Sequence, residues 1–296
     1  MRVGAFELHE PLPELKEPHA FIMLSPWIDV GRVGSLTLAT LEKHFGAAEL
    51  GSLKTPGLFY DFTRYRPMIH LVEGRRQITV PNTHINWAKR AEGPDLLFFH
   101  CLEPHMLGEV YASSLLKVME KLGAKRYCSL GSMYDSVPHT RPLLISGGAS
   151  GKELEAELRR NGVFPSGYQG PTTINILASE RAPERGIETL SLVVRLPHYV
   201  QLEEDYRGHY CLLGLLCLLY GFSIDLSETR QKGEEQYRRV SQAVEANPEV
   251  KKIVEALEQN YDARTKEKAE PQGMPRLSPE IERFLREIGG SLDSKQ

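Results

Sequence analysis

Residues 95–101 read Asp-Leu-Leu-Phe-Phe-His-Cys, a short run that is apolar on both of its alternating faces. A strand with one wet face alternates apolar and polar, so an unbroken apolar run is expected where both faces of a sheet are covered. Glu103-Pro104 follows as a helix start. Leu107, Val110, Tyr111, Leu115, Val118 and Leu122 then keep helical spacing, and Gly123 stops the helix. Residues 126–130 are strand-like again. A strand, a helix and a second strand in this order form a crossover unit that lays the two strands parallel. This unit sets the fold class as α/β.

The same grammar extends in both directions. Upstream, residues 20–24 form another apolar run, ended by Ser25-Pro26; a loop and a helix over 33–45 follow, and Gly46 closes the helix. Residues 49–53 and 58–61 read as strands, and 68–72 with 77–80 as a hairpin around Glu73-Gly74-Arg75-Arg76. Downstream, 143–146 is a strand. Ser150 and Glu153 have capping-box spacing for a helix over 152–161, and 188–196 is the last strand. From Pro197 the chain turns helical, with helices over 203–220 and 228–245 and a third begun by Asn247-Pro248. Residues 265–277 read as a linker, and Ser278-Pro279 starts a short final helix. The pattern predicts a mainly parallel sheet sandwiched by helices with a helical C-terminal extension. The expected divisions are an N-terminal extension (1–19), an α/β core (20–226), a helical extension (227–262) and a linker with a terminal helix (263–296).

Composition excludes several classes of function. Net charge is −3 with no basic stripe, so nucleic acid is not an expected partner; Arg75-Arg76 and Arg238-Arg239 read as solvated surface. Residues 1–18 lack the charged-then-apolar layout of a signal peptide. The longest apolar stretch, 210–222, falls short of the roughly 20 residues that span a bilayer, so no membrane is expected. Cys101, Cys128, Cys211 and Cys217 sit in apolar runs without a C-x-x-C pair, which predicts free thiols in a reducing cytoplasm.

Five polar segments follow predicted strands, where ligands collect in an open parallel sheet. In 25–31, Asp29 and Gly31 form either a substrate loop or a turn that serves the backbone. Glu103 and His105 are either an acid/base pair or a helix start. In 131–142, His139, Thr140 and Arg141 offer an imidazole, a hydroxyl and a fork for a carboxylate or phosphate; the alternative is that Arg141 pairs internally. Residues 166–173, Ser-Gly-Tyr-Gln-Gly-Pro-Thr-Thr, turn sharply and open a helix. Gly167, Gly170, Thr172 and Thr173 therefore frame an anion cradle or a packed turn. His198 and Tyr199 end the last strand. No G-x-G-x-x-G, G-K-[ST], G-x-S-x-G or H-E-x-x-H occurs, and His100, Glu103 and His105 lack a metal-binding spacing. No metal or cofactor is expected.

Six segments, these five and one near the C-terminus, in order resemble the proteasome assembly chaperone 2 family: S-P-W-I-D-V-G at 25–31, L-E-P-H at 102–105, V-P-H-T-R-P at 137–142, G-Y-Q-G-P-T-T at 167–173, L-P-H-Y-V at 196–200 and L-E-Q-N-Y-D at 257–262. The resemblance runs from about Phe21 to Asp262 and is closest to bacterial, largely actinobacterial-type members of unknown function. It implies a fold resembling the purine nucleoside phosphorylase-like sandwich. It also implies a non-catalytic, homo-oligomeric binding or assembly protein with a polar cleft and a protein partner. The alternative is an enzyme or sensor for a nucleoside-like or phosphorylated small molecule, an anion held in that cleft. Archaeal relatives that act on the proteasome often end in a hydrophobic-Tyr-any triplet. This chain ends Leu292-Asp293-Ser294-Lys295-Gln296 without it, so direct capping of a proteasome ring is not expected.

Overall fold

The computed structural model describes residues 1–267. In chain order its strands and helices are β1 (Arg2–Val3), β2 (Phe6–Leu8), β3 (His19–Ser25), α1 (Val33–Phe45), β4 (Ala48–Leu53), β5 (Met68–Val72), β6 (Arg75–Thr79), β7 (His84–Ala88), β8 (Leu96–Leu102), α2 (Gly108–Lys121), β9 (Arg126–Asp135), β10 (Leu144–Ala149), α3 (Lys152–Arg160), β11 (Phe164–Pro165), α4 (Ile174–Arg181), β12 (Glu188–Pro197), α5 (Tyr206–Tyr220), α6 (Ser227–Glu245) and α7 (Pro248–Glu267). The end of the expected linker and the short final helix lie outside the described residues.

Ten strands form one sheet in the order β1-β2-β4-β7-β8-β3-β9-β12-β10-β11. Its centre, β8-β3-β9-β12, is parallel, as the opening unit requires. The expectation of a mainly parallel sheet is corrected at both flanks. The pairs β1–β2, β2–β4, β4–β7, β7–β8 and β10–β12 are antiparallel, five pairings against four parallel ones. Where a short loop replaces the helix, as between β7 and β8, the chain is too short to return parallel beside the strand it left.

Strict alternation divides β3 between two cores. Ala20, Ile22 and Leu24 face one side with Leu97, Phe99 and Cys101, under α2 (Tyr111, Leu115, Met119) and α4 (Ile174, Ala178). Phe21 and Met23 face the other with Leu96 and Phe98, under α1 (Val33, Leu38, Leu41) and α5 (Leu212, Leu216). Each Leu, Ile or Phe removed from water here stabilises the fold by about 1.5–3 kcal/mol.

Several local expectations change. Helix α2 starts at Gly108 rather than at Glu103-Pro104, because the His105 and Met106 N–H groups turn back to the Phe59 carbonyl at 2.8 and 3.1 Å. Residues 56–58 form a 3-10 turn, and no strand runs over 58–61. The Ser150–Glu153 capping box does not form. The Ser150 hydroxyl instead accepts from the Thr189 N–H at 2.7 Å and ties α3 to β12. Helix α5 starts at Tyr206, where the buried Asp205 carboxylate accepts from the Gly208 N–H (2.8 Å) and from the Tyr237 hydroxyl (2.9 Å), joining α5 to α6. The four cysteines are free, and among the described residues no helix is long and apolar enough to cross a membrane.

Candidate functional site

On β12 the residues alternate between two fates. Leu190, Leu192, Val194 and Leu196 enter the core under α1 and α5, while Ser191, Val193 and Arg195 face the other way. Register puts Ser129 and Gly148 beside Ser191, Gly131 and Ser146 beside Val193, and Met133 and Leu144 beside Arg195. Most of these side chains are small. Small residues on the sheet face between α3 and α4 leave a hollow, and a cavity of about 710 Å³ lies there. Leu158 of α3 and Ile176 of α4 form its walls, the 166–173 loop its lip, and Trp27, 66% exposed, its mouth.

Arg195 is the polar centre of this cavity. Its Nε donates to the Ser146 hydroxyl at 2.8 Å and its Nη1 to the Met133 sulfur at 2.8 Å. No carboxylate forms an ion pair with it among the described residues. Burial lowers its pKa, with the more distant Asp135 opposing. Arginine nonetheless stays charged in proteins. Arg195 is not among the site residues expected from the sequence. The signal was present, as a lone cation at a period-2 position of an otherwise apolar strand, Leu-Val-Val-Arg-Leu at 192–196.

The loop expected to cradle an anion does open a helix, but its first donor is occupied. The Ile174 N–H donates to the Glu103 carboxylate at 3.0 Å, so an internal anion sits where a phosphate was envisaged. Burial pushes the Glu103 carboxyl up, with the Ile174 bond opposing. Several buried polar atoms nearby lack a partner: the second Glu103 oxygen, the Thr173 hydroxyl and both side-chain polar atoms of Asn175. Gly170, Thr172 and Thr173 line the cavity.

The other candidates lie elsewhere. Asp29 is buried and serves the start of α1, accepting from the Ser35 N–H at 3.1 Å and from the Ser35 hydroxyl. Burial raises its pKa and those bonds oppose the rise. Gly31 has φ +60°, and a Cβ there would press on Asp205, whose N–H donates to the Gly31 carbonyl at 2.8 Å. His139 is enclosed: Nδ1 pairs with the Tyr199 hydroxyl (2.8 Å), Nε2 with Ser241 (3.1 Å), and its carbonyl accepts from Arg207 (2.8 Å). Burial lowers the His139 pKa and pushes the Tyr199 phenol up to about 12. His198 is held at the Asp135 carbonyl at 3.3 Å, its pKa lowered by burial. Thr140 donates to Glu258. Arg141 forms a fork to Asp262 at 2.9 and 2.8 Å and reaches Glu258 at 3.2 Å, and the Asp262 bonds hold its pKa above the usual value. His139, Thr140 and Arg141 thus fasten the helical extension to the core, Tyr199 braces His139, and His198 ties the end of β12 to β9. Gly167 sits on the loop's outer, exposed side.

Arg141→Ala therefore tests a fastening. The expected result is faster amide exchange and faster proteolysis confined to α7, with exchange in the central strands unchanged. Uniform destabilisation of the whole chain contradicts this role.

A mixed sheet with a parallel centre, helices on both faces and a hollow at its β9-β12-β10 flank defines a mixed α/β scaffold. The chain belongs to the PAC2 family, whose model matches residues 23–244. It is similar to the crystal structure of a PAC2 family protein from Streptomyces avermitilis, at 28% identity and TM-score 0.71, covering 80% of this chain and 99% of that one. A proteasome-assembly chaperone homologue from Mycobacterium tuberculosis shares the fold at 23% identity and TM-score 0.70, covering 79% and 99%. A protein of unknown function from the same organism shares it at 23% identity and TM-score 0.76, covering 90% and 93%. No curated protein matches the chain.

Proposed function

We propose that this chain is a non-catalytic assembly protein of the proteasome-assembly-chaperone kind. It works in the cytoplasm as a homo-oligomer that binds protein, on a phosphorylase-like scaffold. The observation that carries the reading is the β5–β6 hairpin. It forms a separate two-stranded sheet. All ten of its strand residues are exposed, among them Ile69 (62%), Leu71 (75%) and Ile78 (63%). A lone two-stranded ribbon is marginal in water, and apolar residues on both of its faces mark it for burial against another surface.

The occupant we assign is a second copy of the chain. Each copy carries a complementary hollow of about 490 Å³ lined by Leu58, Phe59, Leu107 and Val110. The hairpin starts at Met68, a short loop beyond Phe59, so the arm and the groove are close in the chain. Such neighbours suit an interface in which two copies exchange arms. The free thiols fit a reducing compartment.

Light scattering at micromolar concentration tests the reading. The native chain is expected to run as an oligomer, and Leu71→Asp combined with Ile78→Asp as a folded monomer. A native monomer at that concentration, or an oligomer indifferent to both substitutions, contradicts it.

A further inference from the structure

The arm and groove leave the Arg195 cavity without a task. It lies over β9, β12 and β10, whereas the groove is lined from β1, α2 and the 55–59 turn. The cavity's size is that of small-molecule sites, roughly 300–1,000 Å³. Its walls are mostly apolar, through Ile28, Leu158, Val163, Ile176 and Val193. Polar groups converge at one end. The Arg195 guanidinium has five N–H donors, of which hydrogen bonds to Ser146 and Met133 engage two. Arg195 is partly withdrawn from water with no ion pair among the described residues; the charge of Asp135 only opposes that burial, Arg264 works against it, and a bound carboxylate or phosphate adds a bidentate contact.

Thr173 lines the same cavity at 6% exposure. The carboxylates on the lining do not cancel the cation. Glu155 is paired with Arg159 at 2.6 Å, and Glu180 is exposed to solvent. Trp27 and Tyr168, both exposed at the mouth, supply aromatic surface.

We propose that this cavity binds a small amphipathic anion, its carboxylate or phosphate on Arg195 and Ser146 and its apolar body against Ile28, Ile176 and Val193. The site is separate from the oligomer reading and stands whether or not the chain is an oligomer. The cavity holds no assembled acid/base pair, so the ligand is retained or sensed without being converted.

Calorimetry with the full chain tests it, using indole-3-acetate and phenyl phosphate as probes. Inorganic phosphate serves as the bare head group and indole-3-ethanol as the neutral body. Saturable binding of at least one amphipathic anion is expected, with both reduced probes at least about 10-fold weaker. Arg195→Met keeps the length and apolar stem of the side chain but removes the charge, and weakens the anion by about 10- to 100-fold. Gly148→Leu is the second variant: a Cβ at Gly148 meets no atom, so the new side chain fills the hollow without displacing the fold, and it abolishes binding. If Arg195→Met does not fold, Gly148→Leu decides alone. The proposal is overturned if neither amphipathic anion binds at millimolar concentration, if either reduced probe binds as well as the anions, or if binding survives both variants.

Discussion

Gly147→Ala is expected to lower the unfolding free energy by about 3 kcal/mol, the upper end of the usual cost of an overpacked site. Gly147 lies in β10 opposite Leu192 of β12. A Cβ at this position falls on the Ser191 carbonyl oxygen and against the Leu192 Cα, which are backbone atoms held by the ladder. Relief requires β10 to move off β12, and β10 carries Ser146 and the cavity floor with it. The neighbour supplies the control. A Cβ at Gly148 meets nothing, so Gly148→Ala is expected to change stability by no more than about 0.5 kcal/mol. Urea unfolding of the two variants measures the contrast, and equal midpoints would falsify the packing account.

Acid is expected to destabilise the protein from pH 6.5 downward, before most carboxylates titrate, through His209. This imidazole is buried under α1, its Nε2 paired with Thr40 at 3.3 Å and its Nδ1 without a partner. Burial lowers its pKa from 6.5 to about 4, with Glu204 opposing. The unfolded chain therefore binds a proton that the folded chain refuses between pH 6.5 and about 4. Stability present above pH 6.5 is lost as the pH falls through that window, by about 3 kcal/mol for this one group. His19, lowered to about 4 by burial, adds a loss of the same sign. Thermal unfolding from neutral pH to pH 4 follows the loss. His209→Leu removes both the orphaned nitrogen and the proton site, and is expected to hold stability near neutrality while flattening the acid slope. A slope unchanged in that variant rules out His209 as its source.

Much of the framework was legible in the chain because it rests on short-range physics. The apolar run at 95–101, the helix stopped by Gly123 and the helix over 33–45 need only alternation, spacing and a left-handed terminator. Helix starts were less legible. Glu103-Pro104 has the composition of a helix N-terminus, yet its carboxylate serves α4, seventy-one residues later in the chain. The candidate site was legible in part. Gly170, Thr172 and Thr173 do line a cavity, whereas His139 and Arg141 have the chemistry of ligands and spend it on α6 and α7. Residue type says what a side chain is able to bind; which partner it meets depends on elements more than a hundred positions away.

The amino-acid sequence by itself determined the α/β class, the family, the parallel centre and the free thiols, because strand burial and crossover length are written locally. Only the tertiary structure decided that the sheet's flanks run antiparallel, that Arg141 is a fastening and Arg195 the cavity's cation, and that one hairpin stands apart from the core. Those outcomes depend on which strand edge and which helix each segment finds. That choice is made by packing across the whole chain, where a fork of five donors finds Asp262 in one place and an open hollow in the other.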